Sequence, residues 1–212
     1  MTTHRAPMIL VGLTGLAGEG KDYFAQKAIR HLRQYKVVGD TYAMAKPIKV
    51  IASRVLLLEK DHFDEIDKDA LSPVYYWENM PGYTGKRLGR MTGREILQYF
   101  GTEVLRRMNP QVFVDCLGEF LETHPFRKTG GVVFVPDVRF VNEAAYIRRN
   151  KGYVVHLSGL GSIASFSGHS SETAAQDGSL IEDEDTTLDS TSHQDRNRQI
   201  EAFADILYGE HF

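Results

Sequence analysis

The chain has 212 residues, 42% hydrophobic and 25% charged, with a formal net charge of −3. That is enough for one well-buried α/β domain and short for two independent ones. The mild acidity argues against a general nucleic-acid coat. No apolar run approaches membrane-spanning length and no secretory signal pattern opens the chain, so a cytoplasmic protein is expected. The single cysteine, Cys116, falls in an apolar helical pattern. It reads as a small core residue and rules out an intramolecular disulfide.

The first apolar run, Met8–Leu13, reads as a strand, and Phe24, Ala28, Ile29 and Leu32 mark one side of a following helix. Between them lies Gly15-Leu16-Ala17-Gly18-Glu19-Gly20-Lys21-Asp22, a G-x-x-x-x-G-K pattern in the strand–turn–helix context that gives it physical meaning. Glycines let the backbone wrap closely around an anion with its N–H groups inward. The helix N-terminus adds partial positive charge, and Lys21 adds a full one for the β- and γ-phosphates of a nucleotide. The usual Ser or Thr after the lysine is replaced by Asp22. An acid there either complements the helix dipole or serves as a carboxylate facing Mg²⁺, directly or through water.

Val37–Ala43 reads as a second strand and Met44–Lys49 as a turn into a helix with Pro47 near its start. Ile51, Val55 and Leu58 are expected as its buried stripe. Residues 59–69 crowd charges and read as a solvated connection. Residues 71–91 read as an irregular aromatic loop containing Tyr75, Tyr76, Trp77 and Tyr83 with Lys86, Arg87 and Arg90. Such a loop either stacks a base or anchors itself to the domain.

Thr92 and Glu95 form a capping-box pattern ahead of a helix with Ile96, Leu97, Phe100, Val104 and Met108 at helical spacing. Arg94 and Gln98, four apart, share another face. Asn109-Pro110 ends this helix and starts the next, whose core side is expected at Val112, Phe113, Cys116, Leu117, Phe120 and Leu121. Val132–Val135 is the all-apolar run of a central parallel strand. Ligands of open α/β sheets bind beyond the carboxyl ends of the strands, so Asp137 and Arg139, just past this run, are placed by topology near the glycine-rich loop. A helix over 142–150, a strand at 153–157, a fifth strand at 186–189 and a last helix carrying Ile200, Phe203, Ala204 and Leu207 complete the chain. No lysine or arginine occurs from Gly152 to Asp195, where a lid or surface loop is expected.

Five stretches then occur in a telling order: Gly18–Asp22, Ala45–Lys49, Thr92–Glu103, Asp137–Glu143 and His169–Glu172. Together they resemble the deoxynucleoside monophosphate kinases of tailed phages, a branch of the P-loop NMP kinase fold. Lys46 departs from the pattern, standing where the family more often has an acid, and the lid region lacks the arginines many NMP kinases close over the phosphates. The resemblance implies a three-layer α/β fold with a central five-stranded parallel sheet, order 2-3-1-4-5, and helices on both faces. It would be one kinase domain over 1–212, with an acceptor-binding insertion around 46–124 and a lid-like segment around 159–185.

The activity implied is transfer of the ATP γ-phosphoryl group to a dNMP, with Mg²⁺ held by Asp22 and Asp137, in the host cytoplasm if the gene is a phage's. Lys21 and Arg139 would neutralise charge on the transferred group, with Asp137 beside them. Arg94 and Gln98 would take the acceptor's phosphate and base, with Lys49, Glu103 and Arg106 as weaker candidates. Either Arg139, Arg106 or Arg107 would take over the missing lid arginines' task, or the lid would work through backbone and hydroxyl groups. Expected partners are small nucleotides, with neither membrane nor nucleic acid; a homodimer is compatible. A kinase with another acceptor, and a nucleotide-binding module without transferase activity, are the competing readings.

Overall fold

The structure, a computed structural model, describes residues 7–55, 69–160 and 179–212. Leu58, most of the charged connection at 59–69, and most of the expected lid, His169 included, lie outside these residues. In chain order the elements are β1 (Met8–Thr14), α1 (Lys21–Leu32), β2 (Gly39–Thr41), α2 (Lys46–Val55), β3 (Leu71–Tyr76), β4 (Arg90–Thr92), and α3 (Gly93–Gln98), which continues as a π-helix over Tyr99–Arg106. There follow α4 (Val112–Thr123), α5 (Phe126–Thr129), β5 (Gly131–Val135), α6 (Val141–Arg149), β6 (Tyr153–Ser158), β7 (Thr186–Asp189) and α7 (His193–His211). No helix among the described residues is long and apolar enough to cross a membrane.

The chain divides into two compact units, one of Met1–Met44 with Val114–Phe212, the other of Ala45–Phe113. The first holds a parallel sheet in the order β2-β5-β1-β6-β7. Counted by this sheet's strands alone, the order is 2-3-1-4-5, as expected. Strand β5 is buried at every position, because a central parallel strand is covered on both faces. Alternation sorts β1 between those faces. Ile9, Val11 and Leu13 join Phe24, Ala28 and Leu32 of α1 and Ile200, Phe203, Ala204 and Leu207 of α7 in one core. Gly12 faces the other way, against Ile147 of α6 and Val138. The unit is an α/β fold with a five-stranded parallel sheet flanked by helices on both faces.

Arg148 of α6 organises the acidic run after the undescribed segment. Its guanidinium donates to Leu180 O at 2.7 Å, to Glu182 Oε1 at 2.7 Å and to both carboxylate oxygens of Asp185.

In the second unit three sequence expectations are corrected. On α2 the buried residues are Ile48 and Ala52, while Ile51 and Val55 are 39% and 66% exposed. This helix carries apolar side chains around much of its circumference, so periodicity alone does not select a face; packing does. Ala52 joins Met91 and Ile96 in a small core, and Ile48 closes over Gly101. The 71–91 stretch is in part an antiparallel β3–β4 ribbon with an irregularity between Leu71 and Tyr76. The Ser72 hydroxyl accepts the N–H groups of Val74 and Tyr75 at 3.3 and 3.2 Å, and Pro73 has no N–H to donate. Its aromatics anchor it: Tyr75 and Trp77 pack on the Met91–Ile96 core, and Trp77 sits 5.0 Å from Tyr83, centroid to centroid.

Third, the helix begun by the Thr92–Glu95 box changes pitch. The box itself is present, with Glu95 N donating to Thr92 Oγ1 at 3.2 Å and Thr92 N to Glu95 Oε2 at 2.9 Å. The π-helical Tyr99–Arg106 stretch then breaks the 3.6-residue spacing, and Met108 ends 80% exposed. On α4, Phe113, Leu117 and Leu121 are buried as expected, joined by Val114, whereas Cys116 is only half-buried.

Candidate functional site

The glycine-rich loop leaves the carboxyl end of β1 with Gly15, Gly18 and Gly20 at φ of +135°, +85° and +76°. Only glycine adopts such angles freely. A Cβ on Gly15 would lie 2.3 Å from the Leu157 carbonyl oxygen, and Gly20 caps α1 in a left-handed conformation. Glu19 N–H turns back to Leu16 O at 3.3 Å, and Phe24 N–H to Gly20 O at 2.8 Å. The N–H groups of Gly18, Gly20 and Lys21 find no acceptor among the described residues. Buried amides of a folded chain are almost always paired, and here Ala17, Gly18 and Gly20 are exposed. The loop thus presents donors at the N-terminus of α1, the arrangement that receives anions.

Lys21 donates from Nζ to Gly15 O and Leu16 O, each at 2.8 Å. Burial lowers its pKa to about 8, and the nearby Arg139 guanidinium lowers it too; the carboxylates of Asp22, Glu19 and Asp137 oppose both. Asp22, Asp137 and Arg139 thus all act on the charge of Lys21. Asp137 is held by Met44 N–H, which donates to Oδ1 at 2.7 Å. The Arg139 turn is fixed by Glu143, whose Oε2 accepts Arg139 N–H at 2.8 Å and Phe140 N–H at 3.1 Å. Glu143 is 1% exposed, so this acid of the Asp137–Glu143 stretch is structural support for the turn.

Glu19 has a different role from its loop neighbours. It is 3% exposed and paired with Arg196 of α7, itself 2% exposed. Sequence reading missed Arg196. It is the first cation after the stretch without lysine or arginine, but one arginine early in a polar helix reads as surface. Two further polar groups lie under the loop: Thr14 Oγ1 and His156 Nδ1 are buried and without a partner among the described residues, on strand positions paired in register. Burial lowers the His156 pKa, with Glu19 opposing and Lys21 reinforcing the shift.

The remaining candidates belong to the second unit. Arg94 holds Asp69 in a fork, Nε to Oδ1 at 2.7 Å and Nη2 to Oδ2 at 3.3 Å. Lys49 and Gln98 are half-buried, and Glu103 is exposed on the π-helical stretch. The Arg106 guanidinium lies over the Phe113 ring at 4.5 Å. No group of three or more His, Cys, Asp or Glu able to hold a metal occurs among the described residues.

Fold and loop together make this an α/β protein with a glycine-rich, lysine-ended turn at the carboxyl edge of its sheet. No family model matches the chain. The chain is 29% identical over 174 residues, covering 78% of its own length and 81% of the other's, to a protein of Acanthamoeba polyphaga mimivirus described as "Putative deoxynucleotide monophosphate kinase". Among solved structures it is similar to one described as "Crystal structure of APE1195", at 12% identity and a TM-score of 0.42, with 97% of each chain covered.

Proposed function

We propose that the protein is an ATP-dependent deoxynucleoside monophosphate kinase, converting dNMP and ATP to dNDP and ADP to supply DNA precursors. One observation carries the reading. The N–H groups of Gly18, Gly20 and Lys21, without acceptors among the described residues, stand beside two mutually repelling cations, Lys21 and Arg139, and a polyphosphate would satisfy the donors and relieve the repulsion together. The description of the mimivirus relative agrees with it.

The acceptor is a phosphate oxygen already largely anionic near neutral pH, since its second pKa is about 6. No strong base is required, and catalysis reduces to in-line positioning and charge neutralisation. In this reading the loop amides of residues 15–22 hold the β- and γ-phosphates, and Lys21 leaves its carbonyl partners for them. Arg139, on the turn fixed by Glu143, offsets charge on the transferred group; such an arginine contributes about 10³-fold or more. Arg94 grips the monophosphate and Gln98 reads a base edge, with Lys49, Glu103 and Arg106 in supporting roles.

The donor set suits Mg²⁺, which takes oxygen ligands and keeps several waters. Asp22 and Asp137 supply carboxylates near enough to Lys21 to oppose the lowering of its pKa; they would hold the ion, which would supply neutralising charge for the phosphates. The test is ADP release by purified protein with Mg·ATP across the four common dNMPs. Release that depends on a dNMP is expected. Hydrolysis indifferent to every dNMP, or phosphate transfer to DNA alone, overturns the proposal.

A further inference from the structure

Arg196, 2% exposed, is a fully engaged cation of the first unit. Its Nε donates to Ser190 Oγ at 2.6 Å, Nη1 to the Glu19 carbonyl at 2.8 Å, and Nη2 to Glu19 Oε2 at 3.3 Å and to Ser158 O at 2.6 Å. Glu19 Oε2 also accepts Leu160 N–H at 3.1 Å, and Ser190 Oγ donates on to Gln199 at 2.7 Å. One guanidinium thus ties the ends of β6 and β7 and the start of α7 to the middle of the glycine-rich loop.

The carbonyl contact has a consequence for the loop. In a trans peptide the C=O and the following N–H point in opposite directions. Arg196 draws the Glu19 carbonyl inward to α7, so the Gly20 N–H of the same peptide is turned away from α7, where it has no partner among the described residues. Gly20 is free to rotate that peptide, having no Cβ to restrain it, so an external clamp is what keeps the donor aimed. We infer that Arg196 is a positioning residue for phosphate binding, acting through the Glu19–Gly20 peptide. The inference rests on the loop's reading as a phosphate cradle, though not on the identity of the acceptor.

The test compares wild type with Arg196→Gln, Arg196→Lys and Glu19→Gln. Mg·ADP affinity is measured by calorimetry, KM for ATP and dNMP by ADP release, and folding by thermal unfolding. Hydrogen bonds to charged groups are strong enough that Arg196→Gln should weaken ADP roughly tenfold or more. KM for ATP should rise in step and KM for dNMP stay within about twofold. Glu19→Gln keeps the carbonyl contact and an acceptor oxygen, so it should weaken ADP by no more than about threefold. Arg196→Lys, one point charge in place of a fork, should fall between and stands in if the glutamine variant does not fold. Unchanged ADP affinity in both Arg196 variants, an equal rise in both KM values, or a Glu19→Gln loss as large as that of Arg196→Gln overturns the inference. Wild type that binds no ADP sinks the cradle and the inference together, whereas wild type that binds ADP but phosphorylates no dNMP sinks only the kinase reading.

Discussion

Gly15 and Leu157 approach so closely that a single methyl group on the glycine would stand 2.3 Å from the leucine's carbonyl oxygen. That oxygen is backbone of a buried strand and has nowhere to retreat. The glycine's φ of +135° independently disfavours any side chain. Gly15→Ala should therefore cost about 1–3 kcal/mol through the strained backbone alone and displace the turn that carries the loop amides. Chemical denaturation with ADP calorimetry checks both; a variant with wild-type stability and affinity would show that the turn does not need this close approach.

Sequence alone revealed some of this and hid the rest for identifiable reasons. Strands β1, β5 and β6 announce themselves because parallel, covered strands are largely apolar runs, and the order of the sheet followed from the family resemblance. Thr92 and Glu95 were legible because a capping box is a local pattern. The buried side of α2 was not, since Ile48, Ile51, Ala52 and Val55 offer competing apolar stripes and only Gly101, Met91 and Ile96, distant in sequence, decide between them. The π-helical Tyr99–Arg106 stretch leaves no compositional trace. At the candidate site, Lys21, Asp137 and Arg139 were visible as motif residues, but Arg196 acts across 177 positions on Glu19, a separation no spacing rule spans.

Lys21 is desolvated and sits near another cation, costs that offset the two hydrogen bonds it donates to loop carbonyls. Lys21→Met should leave the unfolding midpoint unchanged or slightly higher, because a buried ammonium beside Arg139 is removed. Turnover should fall by about 10²-fold or more as a donor aimed at developing charge is lost. Thermal unfolding and ADP release on the same preparation separate the two effects. Retained activity would count directly against the phosphate-cradle assignment.

Between α1 and α7, Asp205 accepts from Tyr35 Oη at 2.9 Å and lies 2.7 Å from His31 Nε2. The His31 contact chiefly holds its carboxyl below the usual range; burial opposes it, and the Tyr35 bond lowers it further. A carboxylate whose folded pKa is depressed stabilises the protein above the ordinary carboxylate pKa, and this is lost as pH falls through the folded value. Asp205 is 51% exposed on its side chain, so the gain is that of a solvated pair, about 0.5 kcal/mol. Asp205→Asn should thus be slightly less stable than wild type at pH 7, and urea titrations should show the difference closing as pH drops below 4, a value near the ordinary carboxylate pKa of about 3.9. A gap that persists in acid would mean that packing, not charge, is what the substitution removes.

The fork of Arg94 on Asp69 bears on the acceptor. Two parallel contacts from a guanidinium to a carboxylate are the geometry by which arginine also takes a phosphate. If Arg94 receives the monophosphate, Asp69 competes with it for the same donors. Asp69 is 69% exposed on its side chain, so the contact holds no buried charge in place and its removal should leave stability within about 0.5 kcal/mol. Asp69→Asn weakens the competitor without touching the glycine-rich loop. KM for the dNMP should fall by about two- to fivefold, matching the roughly 0.5–1 kcal/mol of an exposed charged pair, while KM for ATP stays constant. Arg94→Lys, which replaces the fork with a point charge, should raise KM for the dNMP selectively. A dNMP KM unchanged in both variants would remove Arg94 from the acceptor site and leave its ion pair with Asp69 as a purely structural clasp on α3.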